Sequence, residues 1–384
     1  MIGSLKTLNQ LANRHAGKLL LVGLVGVAAH NWRQWQRDKA LLTERGDPPP
    51  RPPLEEWPVL PLVSVLVAAW DEADLIQRHI ESFLALRYPH KELVLCAGGP
   101  DGTYELARQY AGPQVTVLHQ QPGEGKQRAL RRCVAQATGE IIFLTDADCL
   151  LNDEAFERTL EPIVDEQDSV TTGSSRPLVG QTINRFVAVQ WAAQQYGSLR
   201  MPEESPGLLG RNCAVRSTVM ESVGAFAPDA ATGTDYTLAR QLLSAGYTIR
   251  YVRDSAVETR YPTEWRSYYW QRSRWLRNLL RVGLRSGDLA TAFQGLVAVV
   301  LGVALMVMPM TALALGPVVL AVWLVALLHG ACSRVRYVLL LECVTGVPAA
   351  KLFLTSLLSL GLDLLVWASI PIQLALPASR RRWK

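Results

Sequence analysis

Two aspartates one residue apart, Asp146 and Asp148, end the apolar run in GEIIFLTDADCL, Gly139 to Leu150. Ile141 to Leu144 is short and uninterrupted by polar residues, the pattern of a strand buried on both faces of a parallel sheet. The pair then stands at the carboxyl end of that strand. In open α/β sheets this end faces the ligand crevice, where two carboxylates can share a divalent cation and the phosphate oxygens it carries. An isolated Asp-x-Asp is also, and more commonly, a solvated turn.

The stretches around this pair must position it. Val63 to Ala69, VSVLVAA, reads as a buried strand, followed by the turn Trp70-Asp71-Glu72 and a helix from Leu75 to Leu86. Glu92 to Ala97 is the next strand, and Gly98 to Gly102 a turn that opens a helix from Thr103 to Tyr110. Val115 to His119 is a third strand, leading through Gly123-Glu124-Gly125-Lys126 to a helix that ends near Ala137. Alternating β and α of this kind predicts a mostly parallel sheet with helices on both faces. The Gly-x-Gly-Lys turn lacks the spacing and the Ser or Thr of a Walker A loop. Lys126 can meet a phosphate or simply face water.

Composition divides the chain of 384 residues. The tail from about Ala290 to Leu376 is apolar with few charges, as in membrane-spanning helices, whereas most acidic residues precede it. Phe293 to Cys332, broken near Met308-Pro309 and Gly316-Pro317, has the length of a two-span hairpin, and Lys351 to Leu376 supplies a third span. Tyr337 to Val347, interrupted by Glu342, reads as interfacial or re-entrant. Ala16 to Ala29 is apolar but short against the ~20 residues of a straight span. Basic residues flank it on both sides and no A-x-A cleavage site follows, which favours a retained anchor over a signal peptide. Arg45 to Pro61, with PPPRPP, is a stiff linker. Arg380, Arg381, Arg382 and Lys384 favour the cytoplasmic side, a demand that three spans after the soluble domain leave unmet.

The expected organisation is residues 1–56 as anchor and linker, 57–288 as the α/β domain with interfacial helices at its end, and 289–384 as transmembrane helices and basic tail. The net charge of +5 suits anionic lipid headgroups, and no basic stripe interleaved with aromatics points to nucleic acid. The six cysteines show no metal-ligand spacing, so reduced thiols in a cytoplasmic domain are expected.

VSVLVAAWDE, VLCAGGPDGT, GEGKQRAL and FLTDADC, in this order, resemble the nucleotide-sugar-binding half of the family-2 glycosyltransferases of the GT-A fold. Further on, Gly207 to Phe226 resembles the family's acceptor-side segment, and TGTDYTLARQLLSAGY, Thr232 to Tyr247, the segment with its catalytic base. QRSRW, Gln271 to Trp275, matches the QxxRW motif of the membrane-bound members, similar to cellulose and hyaluronan synthases and to ceramide glucosyltransferases. The resemblance covers roughly residues 60 to 285 and implies a Rossmann-like cytoplasmic domain with transmembrane helices in a multi-pass membrane protein.

It also implies the chemistry. Transfer of a sugar from a nucleotide diphosphate develops charge on the departing diphosphate, which Mg2+ or Mn2+ would stabilise. Asp148 is the implied metal ligand, with Asp146 nearer the ribose and reaching the metal through water. Asp235 is the implied general base toward the acceptor hydroxyl; by position alone it equally suits an N-cap for a helix from Tyr236 to Ser244. Ala68, Glu72, Cys96, Asp101, Lys126 and Asp146 fall where the family binds the nucleotide sugar. Arg274 suits bidentate contact with the diphosphate and Trp275 stacking on a sugar, while Gln271 helps hold the acceptor or a loop over the donor. The segment from Trp265 to Trp275 also reads as an amphipathic helix in the headgroup layer, with Arg272 and Arg277 facing outward.

One position departs from the family. Where many members carry Asp-Asp-Gly, with an aspartate that pairs with uracil, this chain has Cys96-Ala97-Gly98. Asp101 or Glu72 is the expected substitute. A UDP-sugar is the donor by family preference, with a GDP-sugar as rival. The acceptor is a lipid or lipid-linked hydroxyl, or in the alternative reading the growing glycan of a processive synthase. A catalytically inactive scaffold is the remaining alternative. Homo-oligomerisation is left open.

Overall fold

The computed structural model describes residues 13–227 and 233–376, so the basic tail lies outside the described residues. In chain order the elements begin with α1 (Ala16–Arg45), β1 (Val63–Trp70), α2 (Ile76–Leu84), β2 (Lys91–Gly98), α3 (Thr103–Arg108), β3 (Val115–His119) and α4 (Gly125–Gln136). Then come β4 (Ile141–Leu144), β5 (Cys149–Leu150), α5 (Asp153–Val164), β6 (Val170–Pro177), α6 (Arg185–Arg200), β7 (Cys213–Arg216), α7 (Ser217–Ser222), α8 (Thr234–Ser244) and β8 (Arg250–Thr259). The last are α9 (Trp265–Arg285), α10 (Leu289–Leu315), α11 (Pro317–Thr345) and α12 (Ala349–Ala375). Two compact units result. One is Asp47–Gln181 with Arg200–Tyr261; the other is Met1–Gly46, Thr182–Leu199 and Pro262–Lys384. Thus α6 and α9 belong with the apolar helices and not with the sheet.

The first unit is built on one sheet in the order β3-β2-β1-β4-β7-β6-β8-β5. Pairing is parallel at β1–β2, β1–β4, β2–β3 and β6–β8, and antiparallel at β4–β7, β6–β7 and β5–β8. The sheet is therefore mostly parallel, with helices on both faces. Val63, Val65, Val67 and Ala69 of β1 point into a core with Ile76, Ile80 and Phe83 of α2 and Phe156 and Leu160 of α5. Leu66, between them, joins Ala129, Leu130 and Cys133 of α4 and Leu238 and Leu242 of α8 on the opposite face. Two buried faces explain the continuous apolar runs, since successive strand side chains alternate between cores. Each fully buried large apolar side chain contributes roughly 1.5–3 kcal/mol.

In the second unit, three of the described helices are long and apolar enough to cross a membrane: α10, α11 and α12. Pro309 lies inside α10 without ending it, and the real break is Gly316 followed by Pro317 at the start of α11. Proline at a first helical position removes only an N–H that has no intrahelical partner. Tyr337 to Val347 is no separate interfacial segment, because α11 runs on to Thr345 and stops at Gly346, whose φ of 73° is the left-handed cap glycine tolerates. The expected anchor is the first half of α1, a helix of 30 residues whose second half is charged.

A buried ion pair ties α1 to α11. Arg336 Nε lies 3.0 Å from Asp38 Oδ2, at side-chain exposures of 8% and 0%, and the Arg336 guanidinium also donates to Asn31 Oδ1 at 3.2 Å and Tyr196 Oη at 3.0 Å. Removing one partner of such a pair strands the other charge away from water. Asp38→Ala should therefore cost ~3–5 kcal/mol of stability, read as a lowered unfolding temperature in detergent. An unchanged midpoint would mean that water reaches Arg336.

Candidate active site

β1 has β2 on one side and β4 on the other, so the strand order reverses between β1 and β4. Such a switch point is where open α/β sheets leave a ligand crevice beyond the carboxyl ends of their strands. Glu72 follows β1 and the Asp146–Asp148 pair follows β4, which brings these carboxylates to one end of the sheet. The two-residue strand β5 then pairs Cys149 with Thr259 and Leu150 with Glu258. This pairing sets the end of β8 beside Asp148, and Arg260 N–H donates to the Asp148 carbonyl at 3.1 Å.

The two aspartates have opposite surroundings. Asp146 is ion-paired with Lys126, and Arg211 Nε stands 3.8 Å from its other oxygen. Partial burial works against the Lys126 charge, but Asp146, with Asp235 and Asp148, holds the ammonium above its usual pKa. Asp148 has no ion pair among the described residues; its Oδ1 meets only Cys149 Sγ and Thr259 Oγ1, each at 3.5 Å. Asp146 is thus less suited to a metal than expected, its charge being matched by Lys126 and Arg211. Asp148 fits one: a half-buried carboxylate without a cation partner, of the hard-oxygen type that suits Mg2+ or Mn2+. No cluster of three or more His, Cys, Asp or Glu side chains forms a cage among the described residues. A cation there needs further oxygens from diphosphate or water.

Glu72 registers the charge of Asp148. Burial first, and then the neighbouring Asp148, push its carboxyl up to about 7, with Arg260 acting in the opposite direction. Arg260 Nη2 lies 3.9 Å from Glu72 Oε2 and 2.9 Å from Asp74 Oδ2. The folded protein consequently holds the Glu72 proton more tightly than the unfolded chain, whose value is near 4.5. That stabilisation is complete below about pH 4.5 and is lost as pH rises through about 7. Metal-free protein should lose up to ~3 kcal/mol of stability over this window, and Glu72→Gln should flatten the slope. Thermal unfolding against pH in chelator reads it; an equal slope in the variant would assign the titration elsewhere.

The proposed base-reading groups come out differently. Cys96 is 0% exposed, because its place in β2 points it to the α4 side with Val94 and Cys133. Its thiol shares that buried face with Cys133, whose Sγ donates to the Val67 carbonyl at 3.6 Å, and lies 3.8 Å from Arg132 Nη1, so it supports the crevice floor from beneath. Arg132 is itself held by the His119 carbonyl at 2.9 Å and by Glu124 at 3.1 Å. Asp101 also departs from expectation: it accepts from Ala73 N at 3.0 Å on one oxygen and from Thr103 N and Oγ1, at 3.1 and 2.6 Å, on the other. It ties the turn after β2 to the turn after β1. Gly99 sits at this junction with φ of 121°, and an added Cβ would come within 2.4 Å of Asp71 Oδ1. Ala68 is half-buried on β1.

Asp235 lies in the first turn of α8, but the cap is Gly233, with φ of 75°. Asp235 Oδ1 accepts from Tyr236 N at 2.9 Å. An added Cβ on Gly210 would come within 2.8 Å of the Asp235 Cβ, so the chain around Gly210 fixes this side chain by close approach. Its charge acts on Lys126, which links it to the Asp146 side of the site.

QRSRW is on α9, in the helical unit. Gln271 and Arg274 are half-buried there, and Trp275 is 39% exposed with the Arg272 guanidinium 4.9 Å from its ring centre. Arg277 does not face outward: it is 1% exposed and donates to Gln373 Oε1 at 2.7 Å. Arg211, Arg260 and Thr259 are site residues that the sequence reading did not single out. Arg211 lay within the recognised segment Gly207 to Phe226; for Arg260 and Thr259 there was no local signal.

Comparison with known proteins agrees with this architecture. The family described as "Glycosyltransferase like family 2" matches residues 61–278, more than half of the chain. The chain is 28% identical over 207 residues to the glycosyltransferase AglE of Haloferax volcanii, covering 51% of this chain and 66% of that protein. It is 24% identical over 230 residues to the poly-beta-1,6-N-acetyl-D-glucosamine synthase of Staphylococcus aureus, covering 58% of this chain and 56% of that protein. It thus spans less than two thirds of the length of each. The solved structure of the mannosyltransferase PcManGT from Pyrobaculum calidifontis, in complex with GDP-Man and Mn2+, matches with a TM-score of 0.53 at 19% identity, over 93% of this chain and 96% of that one. At that identity the likeness is one of fold. Since the family match takes in all eight strands and the residues of the crevice, the chain belongs to the family-2 glycosyltransferases, with a GT-A-like sheet and apolar helices at its carboxyl end.

Proposed function

We propose that the protein is a membrane-bound, metal-dependent, inverting glycosyltransferase that moves a sugar from a nucleotide-diphosphate sugar to a hydroxyl of a lipid or lipid-linked acceptor. The observation that carries this reading is the charge arrangement at the switch point. Asp148 has no ion pair among the described residues, while Lys126 and Arg211 gather around Asp146. A diphosphate needs both: cations for its oxygens and a carboxylate for the metal it carries. Mg2+ or Mn2+, bound through Asp148, supplies Lewis-acid stabilisation of the leaving diphosphate.

The chain's own groups do the rest. Asp235 takes the proton of the acceptor hydroxyl as that oxygen bonds to the anomeric carbon. The bond from that carbon to the diphosphate breaks, its electron pair leaves with the phosphate oxygen, and the sugar's configuration inverts. Lys126 and Arg211 offset the negative charge that builds up, as preorganised cations can in a partly dehydrated crevice. Arg274 and Trp275 are assigned to the diphosphate and sugar side, and Gln271 to the acceptor. The donor is a UDP-sugar, with a GDP-sugar as alternative, as in the complex of PcManGT with GDP-Man. The sheet unit belongs on the cytoplasmic side.

A processive synthase is the second reading, favoured by the similarity to the N-acetylglucosamine polymer synthase. The three candidate spans among the described residues provide little material for a polymer channel, which favours single transfer. Purified protein incubated with a panel of radiolabelled nucleotide sugars and a total lipid extract decides. Labelled lipid supports the proposal, labelled high polymer the second reading, and no turnover with any donor an inactive scaffold.

A further inference from the structure

We propose that a cavity within the helical unit seats the hydrocarbon chain of a neutral, hydroxyl-bearing acceptor lipid; this rests on the lipid-acceptor reading and specifies the class of lipid. The cavity has a volume of about 440 Å3. Phe186 of α6, Trp265 of α9, and Leu358 and Leu362 of α12 form its apolar walls, and Thr263, Glu264, Thr355 and Ser359 its polar points. At the ~30 Å3 that a water-sized group occupies in a liquid, this is room for on the order of fifteen chain carbons.

The occupant follows from the surroundings. α12 is long and apolar enough to cross a membrane, and Leu358, 63% exposed, stands on it with Leu354 at 68% and Phe353 at 49%. A face of that kind belongs in acyl chains, so a cavity that shares Leu358 takes hydrocarbon more readily than water. Ser359 makes no demand on a ligand, because its hydroxyl already donates to the Ser356 carbonyl at 2.7 Å.

The headgroup is selected by charge. Among the described residues Glu264 is the only ionisable group in the lining, which contains no Lys or Arg. A lipid phosphate would set an anion against this carboxylate with no cation to offset it, whereas a hydroxyl can donate to it. Glu264 is exposed, and its side chain is not taken up in capping α9.

The test uses the full chain in detergent, with a diacylglycerol carrying a diazirine on one acyl chain and a phosphatidylcholine carrying the same chain. The diacylglycerol probe should label residues 263–265 and 355–362, and excess unlabelled diacylglycerol should lower that label about tenfold while an isoprenyl phosphate does not. Leu358→Trp should lower it about tenfold by filling the cavity, without changing nucleotide binding. Glu264→Lys, a change at an exposed position, should let isoprenyl phosphate compete. Equal labelling by phosphatidylcholine would mean bulk lipid only and would overturn the proposal, as would competition by isoprenyl phosphate in the wild type or undiminished label in Leu358→Trp. Labelling requires no turnover, so the two readings fail separately. Sugar transfer to lipid without labelled cavity residues sinks the cavity alone; labelling without transfer to any lipid sinks the acceptor reading.

Discussion

Asp235→Asn is expected to leave donor binding nearly intact and to lower turnover by ~10²–10⁴-fold, the range for removal of a general base. The substitution is nearly isosteric. Asparagine keeps an oxygen that can accept from Tyr236 N, as Asp235 Oδ1 does at 2.9 Å. It also keeps the contact of its Cβ with Gly210, and the α8 cap is provided by Gly233 and not by this side chain. Folding therefore survives, and only proton acceptance is lost. Donor affinity by calorimetry beside steady-state turnover separates the two effects. An equal loss of donor affinity would move Asp235 into the donor site.

Chelation should abolish turnover, and manganese or magnesium should restore it. Lys126 and Arg211 are the cations placed around Asp146, and their charge is already matched in part by that carboxylate. A nucleotide diphosphate brings further negative charge toward Asp148 and a Glu72 carboxyl already pushed up to about 7. Without a divalent ion the crevice repels what it has to bind. Turnover before and after removal of the metal tests this directly, and full activity in excess chelator would refute the metal role.

Much of the sheet was legible because its strands are buried on both faces. Val63–Trp70, Lys91–Gly98, Val115–His119 and Ile141–Leu144 are short, largely apolar and bounded by turn residues. β7 and β8 left no such trace. The first has four residues, CAVR, and the second, RYVRDSAVET, mixes charged and apolar side chains. Their antiparallel and parallel pairings are decided by tertiary contact. For the same reason Arg260 and Thr259 were invisible: β8 reaches Asp148 only through its pairing with a two-residue strand.

The errors have local causes. A thiol at the end of β2 could be placed at the base-binding position by comparison, but which face it occupies depends on strand register, and register buries it against Cys133. Asp101 lies in the part of the segment that matches the family, but three backbone and hydroxyl donors use its oxygens. An amphipathic helix in the headgroup layer puts Arg277 outward; its partner, Gln373, is ninety-six residues away in the chain. In the apolar tail, hydropathy found the helices, but the ends of α11 turned on Pro317 and Gly346.

The central claim, that the crevice at Asp146 and Asp148 binds a nucleotide diphosphate through a metal held by Asp148, is tested most directly by calorimetric titration of UDP and of GDP into the purified protein. The titration is run with Mn2+, with chelator, and with Asp148→Asn in Mn2+. One nucleotide should bind in Mn2+ and at least ~10-fold more weakly in both other cases. Equal affinity in all three would place the nucleotide, or the metal, somewhere else.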